Sequence, residues 1–206
     1  MIVNRIHKQE KCDKNKIYSV HEPEVECIAK GKAHKKYEFG NKVSITTTAK
    51  GNWILSASSF YQNPYDGKTL KVSLEHAQQN IVGGVRIQRV FTDQGYRGKK
   101  YHPEGVDVRI CGSKKPKNSY QRKKAKRRSS VEPVIGHLKS DYRLGRNFLK
   151  GVLGDDINIV LSACAFNLRK LMKGIALDFG SFVSNIFVGV WRKPWFQVLV
   201  LRACQQ

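Results

Sequence analysis

Acidic residues are scarce in this chain: 16 aspartates and glutamates stand against 38 lysines and arginines in 206 residues, a formal net charge of +22. That imbalance argues against a small neutral substrate and for a polyanionic partner, because each phosphate neutralised releases condensed counterions. Charge alone does not separate DNA from RNA. Paired cysteines are lacking as well. Cys12, Cys27, Cys111, Cys164 and Cys204 are scattered, odd in number and form no Cys-x-x-Cys pair, which points to a reduced, cytosolic protein rather than a disulfide scaffold. Cys12, His21, Cys27 and His34 follow no usual zinc-finger spacing. The N-terminal residues MIVNRIHKQEK lack the apolar core of a signal peptide. The apolar stretch 179–191 stops before Arg192, Lys193 and Pro194, short of the about 20 residues a membrane span needs. A buried or interfacial helix is expected there, and no membrane partner. No internal repeat is visible.

What is present fits one ordinary domain with a real core. Residues 1–40 are polar and weakly periodic, and read mostly as loop. KVSITTT (42–48) alternates and is β-branched, WILSASS (53–59) follows after the turn AKGN, and the two predict a hairpin. QNPYDG (62–67) reads as a turn through its Asn-Pro and Asp-Gly pairs. A helix is expected over Thr69–Asn80, then strands over Val85–Phe91 and Val106–Cys111. Between residues 112 and 128 lie nine basic residues and no acidic one. Pro133 is tolerated best in a first helical turn, so either Ser129 or Ser130 caps a fresh helix or the helix kinks past Glu132. The apolar spacing of 155–172 predicts a well-buried helix. The order strand, strand, helix, strand, strand, helices fits an α/β domain.

Two carboxylates stand out against this basic background. Asp93 ends the strand in RIQRVFTDQGYRG (86–98), and Glu132 lies in RRSSVEPVIGHLK (127–139), where helical offsets of four and seven align Arg128, Glu132 and Lys139. Carboxylates offer the hard oxygen ligands that magnesium takes, and phosphodiester cleavage is commonly served by two such ions about 3.5–4 Å apart. Each residue also has a plain reading. An Asp before Gly is usually a turn residue, Glu132 suits a helix N-terminus, the basic run suits a solvated tail, and Asp66 in NPYDG suits a turn former better than a ligand.

Together, YSVHEPEVECIAKGKAHKKYEFGNKVSI (18–45), NPYDGKTL (63–70), TDQGYRG (92–98), RRSSVEPVIGHLKSDYRLGRNFLKG (127–151) and GDDINIVLSACAFNLRKL (154–171) resemble the DDE transposases of bacterial insertion sequences, in particular the IS-five group. The resemblance implies an RNase H-like core in which two aspartates and a glutamate bind two magnesium ions, with manganese as a substitute. It places the second aspartate at Asp93, in the pattern completed by Gly95 and Tyr96, and the glutamate at Glu132. Lys139 would contact phosphate near the cleaved end. Arg128 and the preceding Lys123, Lys124, Lys126 and Arg127 would position the backbone of double-stranded DNA at transposon ends. Ala125 stands where the family pattern has a tyrosine.

The first aspartate should lie on a central strand upstream of YSVHEPEV, yet only seventeen residues precede that segment. Asp13 is the sole candidate there by type, and its neighbours are not those of a buried strand. The expectation is therefore an incomplete core, the C-terminal part of a transposase. It comprises a poorly structured segment 1–17, a partial catalytic domain 18–173 with C-terminal helices, and an apolar extension 174–206. Such a chain would be inactive alone, and its partners would be DNA, a second copy or an intact transposase. The rival readings are a non-catalytic DNA-binding remnant or inhibitor and, more weakly, an RNA-binding protein. A bacterial cytoplasmic, nucleoid-associated location is expected.

Overall fold

The computed structural model describes residues 2–29, 36–111, 119, 122–123 and 129–191. The chain divides into two units, Met1–Phe166 and Asn167–Gln206. The first opens with a short helix α1 (Ile2–His7), followed by loop and by an antiparallel pair of three-residue strands, β1 (Cys27–Ala29) and β2 (Tyr37–Phe39). Segment 1–17 thus holds one helical turn and a half inside otherwise irregular backbone.

The expected hairpin forms from β3 (Lys42–Thr47) and β4 (Ile54–Phe60), antiparallel from Lys42↔Phe60 to Thr46↔Ser56, with an irregularity beside Thr47. Its turn is closed by the Thr48 amide donating to the Trp53 carbonyl at 2.8 Å. Gly51 and Asn52 take the left-handed conformation (φ +83° and +51°) that glycine and asparagine tolerate best. Strand alternation puts Ile54 and Ser56 inside.

Helix α2 (Asp66–Gln79) begins three residues before the expected start, so NPYDG is not simply a turn. The negative charge of Asp66 suits the first turn of a helix. Leu70, Leu74 and Ala77 recur at helical spacing and are buried together with Thr69 and Ser73. This face packs on β3 and β4. Ser56 Oγ donates to the Ser73 carbonyl at 2.9 Å, and the Asn80 amide side chain to the Leu55 carbonyl at 2.7 Å.

Strand β5 (Arg89–Thr92) pairs in parallel with β6 (Asp107–Ile110), from Arg89↔Asp107 to Thr92↔Ile110. Residues 85–88, expected as strand, precede the paired segment. Two single-turn 3-10 helices, Gln94–Tyr96 and Lys99–Tyr101, fill the connection. The β3–β4 and β5–β6 ladders are separate two-stranded sheets.

Helix α3 (Val131–Ser140) starts just after Ser130 and carries Pro133 in its first turn. Ser130 provides no side-chain cap; its hydroxyl donates to Asn52 Oδ1 at 3.1 Å. Val134 and Leu138 are buried with Ile54 and Ala163, and Ile45, Ala57, Tyr142, Leu144 and Phe166 surround them. Helix α4 (Gly151–Trp191) is longer than expected, and the expectation of thorough burial needs correction. Ile159, Ser162 and Ala163 are buried, whereas Ile157, Val160, Leu161, Leu168 and Leu171 are exposed. Apolar residues occur around the whole circumference, but one stripe meets the core. By length and composition alone, Gly151–Ser181 is long and apolar enough to cross a membrane. Its first turns are instead tied to the domain, Asp155 accepting from Asn41 and Asn147, and Asp156 from Ser59.

Candidate functional site

Asp93 is the residue after β5, still in extended conformation (φ −86°, ψ −173°), and so emerges at the carboxyl end of a parallel strand. There the chain must turn at once. The Asp93 carboxylate caps that turn, Oδ1 accepting from the Gly95 amide at 3.0 Å. The plain reading of Asp93 as a turn former is therefore correct as far as it goes. It describes how the carboxylate is held.

The turn closes against the start of α2. A Cβ on Gly95 would stand far inside van der Waals contact with Asp66 Oδ2 and 3.2 Å from Asp93 Oδ1. Two carboxylates thus approach one small patch of backbone, and glycine is what lets them do so. Asp66 is not a bare charge: Lys42 Nζ, on β3, lies 2.8 Å from its Oδ1 and also donates to the Pro64 carbonyl. The ammonium offsets the repulsion that two neighbouring carboxylates would otherwise feel.

Tyr96 feels the charge of both acids. Burial pushes its phenol above the ordinary 10.0; hydrogen bonds with Ser44 and Thr69 pull the other way, while the Asp66 and Asp93 charges reinforce the rise. The neighbouring hydroxyls form a chain: Ser73 Oγ lies 2.9 Å from Ser44 Oγ and 2.8 Å from the Thr69 carbonyl, and Thr69 Oγ1 donates to the Asp66 carbonyl at 2.8 Å. Farther along, Tyr65 donates to the Arg97 carbonyl at 2.7 Å and its ring meets that of Tyr101 at 5.6 Å. NPYDG and TDQGYRG, about thirty residues apart in sequence, are one structural corner.

Glu132 lies elsewhere in character. It is exposed in the first turn of α3, whose buried face rests on the β3–β4 hairpin and on Ala163 and Phe166 of α4. Lys139, two turns on, is exposed as well and pairs with Glu38 of β2 at 3.5 Å. Lys123 is exposed. Arg128, Lys124, Lys126 and Arg127 fall outside the described residues, so the alignment of Arg128 with Glu132 does too.

A divalent cation of the magnesium type needs hard oxygen donors. Asp93, with Asp66 beside it, offers them, but Asp66 already holds a lysine. Among the described residues no group of three or more His, Cys, Asp or Glu stands together; His34 of the imagined zinc set lies outside them. The corner suits one cation ligand at Asp93 and falls short of a full two-metal cage. Sequence reasoning missed Asp66 and Lys42 as parts of the corner, whereas Tyr96 already stood in the Asp93 pattern. Asp66 carried a signal, a carboxylate in a second distinctive motif, but its Asp-Gly context favoured a turn.

Comparison with known proteins bears on what this corner is for. A family model described as Transposase DDE domain matches residues 15–168, from the segment before β1 into α4, and takes in both Asp93 and Glu132. No curated protein and no solved structure matches. Domains of this kind have an RNase H-like core and generally use divalent metal ions on DNA. With well over half its length matched, the chain belongs to the DDE transposase-domain family.

Proposed function

We propose that the protein serves DNA transposition as a member of the IS-five group of insertion-sequence transposases, with Asp93 and Glu132 as metal ligands for magnesium or manganese. The observation that carries this reading is Asp93 itself: a carboxylate at the carboxyl end of a parallel strand, fixed in a built corner within the matched domain. Lys139, Lys123 and the basic residues Lys124, Lys126, Arg127 and Arg128 would bind the phosphate backbone of transposon ends. Contacts of that kind give affinity and register rather than base readout. The protein would work where the DNA is, on the bacterial nucleoid, as a homo-oligomer or alongside an intact transposase.

In this reading Asp93 and Glu132 are the carboxylates that this chain brings to the metal site, an incomplete ligand set, and the purified protein alone does not carry out strand transfer. Two metals held by two carboxylates are poorly placed. The test is incubation of the full chain with element-end DNA and magnesium. No nicking is expected, and nicking that disappears in Glu132→Ala would contradict the incompleteness while supporting the assignment of Glu132.

A second reading, a non-catalytic DNA-binding protein that restrains an intact transposase, is favoured by the lack of a three-member ligand group among the described residues. Mixing the chain with an active relative separates the two. A rise in strand transfer supports completion of a split enzyme; a fall supports inhibition.

A further inference from the structure

The loop between α3 and α4 is tied down at several points along its backbone. The Leu144 amide donates to the Leu138 carbonyl at 2.9 Å, the Arg146 amide to the Arg143 carbonyl at 3.1 Å, and Ser162 Oγ to the Tyr142 carbonyl at 2.8 Å. Asn147 fixes the rest, donating to Asp155 Oδ1 at 2.7 Å and accepting from the Leu149 amide at 2.9 Å. What this frame presents to solvent is Arg143, Arg146, Phe148 and Lys150, all exposed. Phe148 keeps 65% of its surface open, and the Arg143 and Arg146 guanidiniums lie 5.7 and 5.2 Å from its ring centre. Arg143 does so from the left-handed conformation (φ +60°), which a long side chain rarely adopts. A lone exposed phenylalanine needs no explanation. Two guanidiniums gathered on one open ring do, since neither is paired with a carboxylate among the described residues.

We propose that the 143–150 loop is a binding site for an unpaired stretch of DNA: Phe148 stacks on a base, and Arg143, Arg146 and Lys150 bind the phosphates beside it. Every base has a π-face, so an aromatic ring bordered by cations holds a single strand with little regard to sequence. Guanidinium planes add stacking surfaces of their own. The loop also adjoins the residue already assigned to phosphate. A Cβ on Gly145 would stand 3.1 Å from the Lys139 carbonyl oxygen, so the chain closes directly on the end of α3 that carries Lys139. Leu149 and Val152 are exposed nearby, but an apolar protein partner would desolvate the two guanidiniums without a counter-charge, which phosphate supplies. The inference takes DNA as the ligand from membership of the transposase-domain family. It does not depend on the metal roles of Asp93 and Glu132, and it goes beyond duplex backbone contacts.

The test compares the full chain with its variants by fluorescence anisotropy, using a labelled single-stranded oligothymidylate and a duplex of the same length. Phe148→Ala and Phe148→Leu should each weaken single-strand binding about fivefold or more and leave duplex affinity unchanged. Phe148→Trp should bind the single strand as the parent does, and its added indole should be quenched by the oligonucleotide beyond the quenching of the parent's own tryptophans. A ring with a merely structural role would not give that signal. Arg146→Gln should reduce the salt slope on the single strand by about 0.7, a slope that Phe148→Ala leaves as it is. Parental single-strand affinity in Phe148→Ala, or an equal loss on single strand and duplex, would overturn the proposal. So would unchanged affinity with an altered sedimentation coefficient, which would make the loop a protein contact. Should Phe148→Ala fail to fold, the Phe148→Trp signal decides, and absence of added quenching overturns the proposal. A parent chain that binds the duplex but not the single strand overturns it while leaving the DNA reading of the chain intact.

Discussion

Asp93 and Glu132, the two acids proposed here as metal ligands, sit in contrasting surroundings. Asp93 is half-buried, bonded to its own turn and bordered by Asp66, Lys42 and Tyr96. Glu132 is exposed on a helix whose anchoring residues, Val134 and Leu138, face away into the core. One carboxylate is positioned by what touches it, the other by where its helix docks. Substitutions near Asp93 should therefore act locally, whereas substitutions that move Glu132 should act through the core.

The largest expected effect separates DNA binding from both acids. Nine basic residues between Lys114 and Arg128 lead into α3, so affinity for duplex DNA should fall by about a thousand-fold or more between 50 and 200 mM salt if six or more phosphates are contacted. Asp93→Asn should leave that slope unchanged. Filter-binding or anisotropy titrations at several salt concentrations measure it, and a flat response would remove the polyanion argument altogether.

Next in size is the core under α3. Leu138 is almost fully buried, at 1% exposure, against Ile54, Val134 and Ala163. Leu138→Ala should cost about 2–5 kcal/mol in urea unfolding, from lost burial and the cavity left behind. A loss below about 1 kcal/mol would mean that the helix carrying Glu132 is not held by this core.

The two acids themselves should differ in the metal-free protein. Asp93→Ala removes a carboxylate that caps a turn and should cost about 1 kcal/mol, by analogy with helix caps. Glu132→Ala, at an exposed position, should stay within about 0.5 kcal/mol. Equal costs measured by thermal or urea unfolding would dissolve the contrast.

The smallest effect is alkaline. Tyr96 has its folded pKa raised above 10.0, first by burial and then by Asp66 and Asp93. Its folded state holds the proton more tightly than the unfolded chain does. The resulting stability is fully present below about pH 10 and is lost as pH rises through the folded pKa. Tyr96→Phe should flatten that part of the stability–pH curve; an identical alkaline decline in the variant would show that the phenol is not coupled to folding.

Much of this was legible beforehand where chemistry is local. The hairpin followed from β-branched alternation in 42–48 and 53–59 and from Gly51-Asn52 in its turn. Asp93 at a strand end followed from an apolar run stopped by Asp-Gln-Gly. The start of α2 was misjudged because Asp-Gly suggests a turn, yet Asp66 gains from the helix N-terminus and from Lys42, twenty-four residues away, which no local pattern encodes. The same limit hid the corner: NPYDG and TDQGYRG meet only through tertiary packing. Helix α4 was expected to be well buried because apolar residues at helical spacing do not say how many sides a neighbour covers. The alignment of Arg128 with Glu132 falls outside the described residues, while Lys139 is placed, with Glu38 as its partner.

The central claim, that Asp93 and Glu132 serve one divalent-metal site, is tested most directly by Mn2+ titration of the full chain, Asp93→Asn and Glu132→Gln side by side. The account predicts measurable binding by the parent chain, near loss in Asp93→Asn and a clear weakening in Glu132→Gln. Binding in Glu132→Gln that matches the parent, with Asp93→Asn alone impaired, would contradict it and leave Glu132 a surface residue of α3.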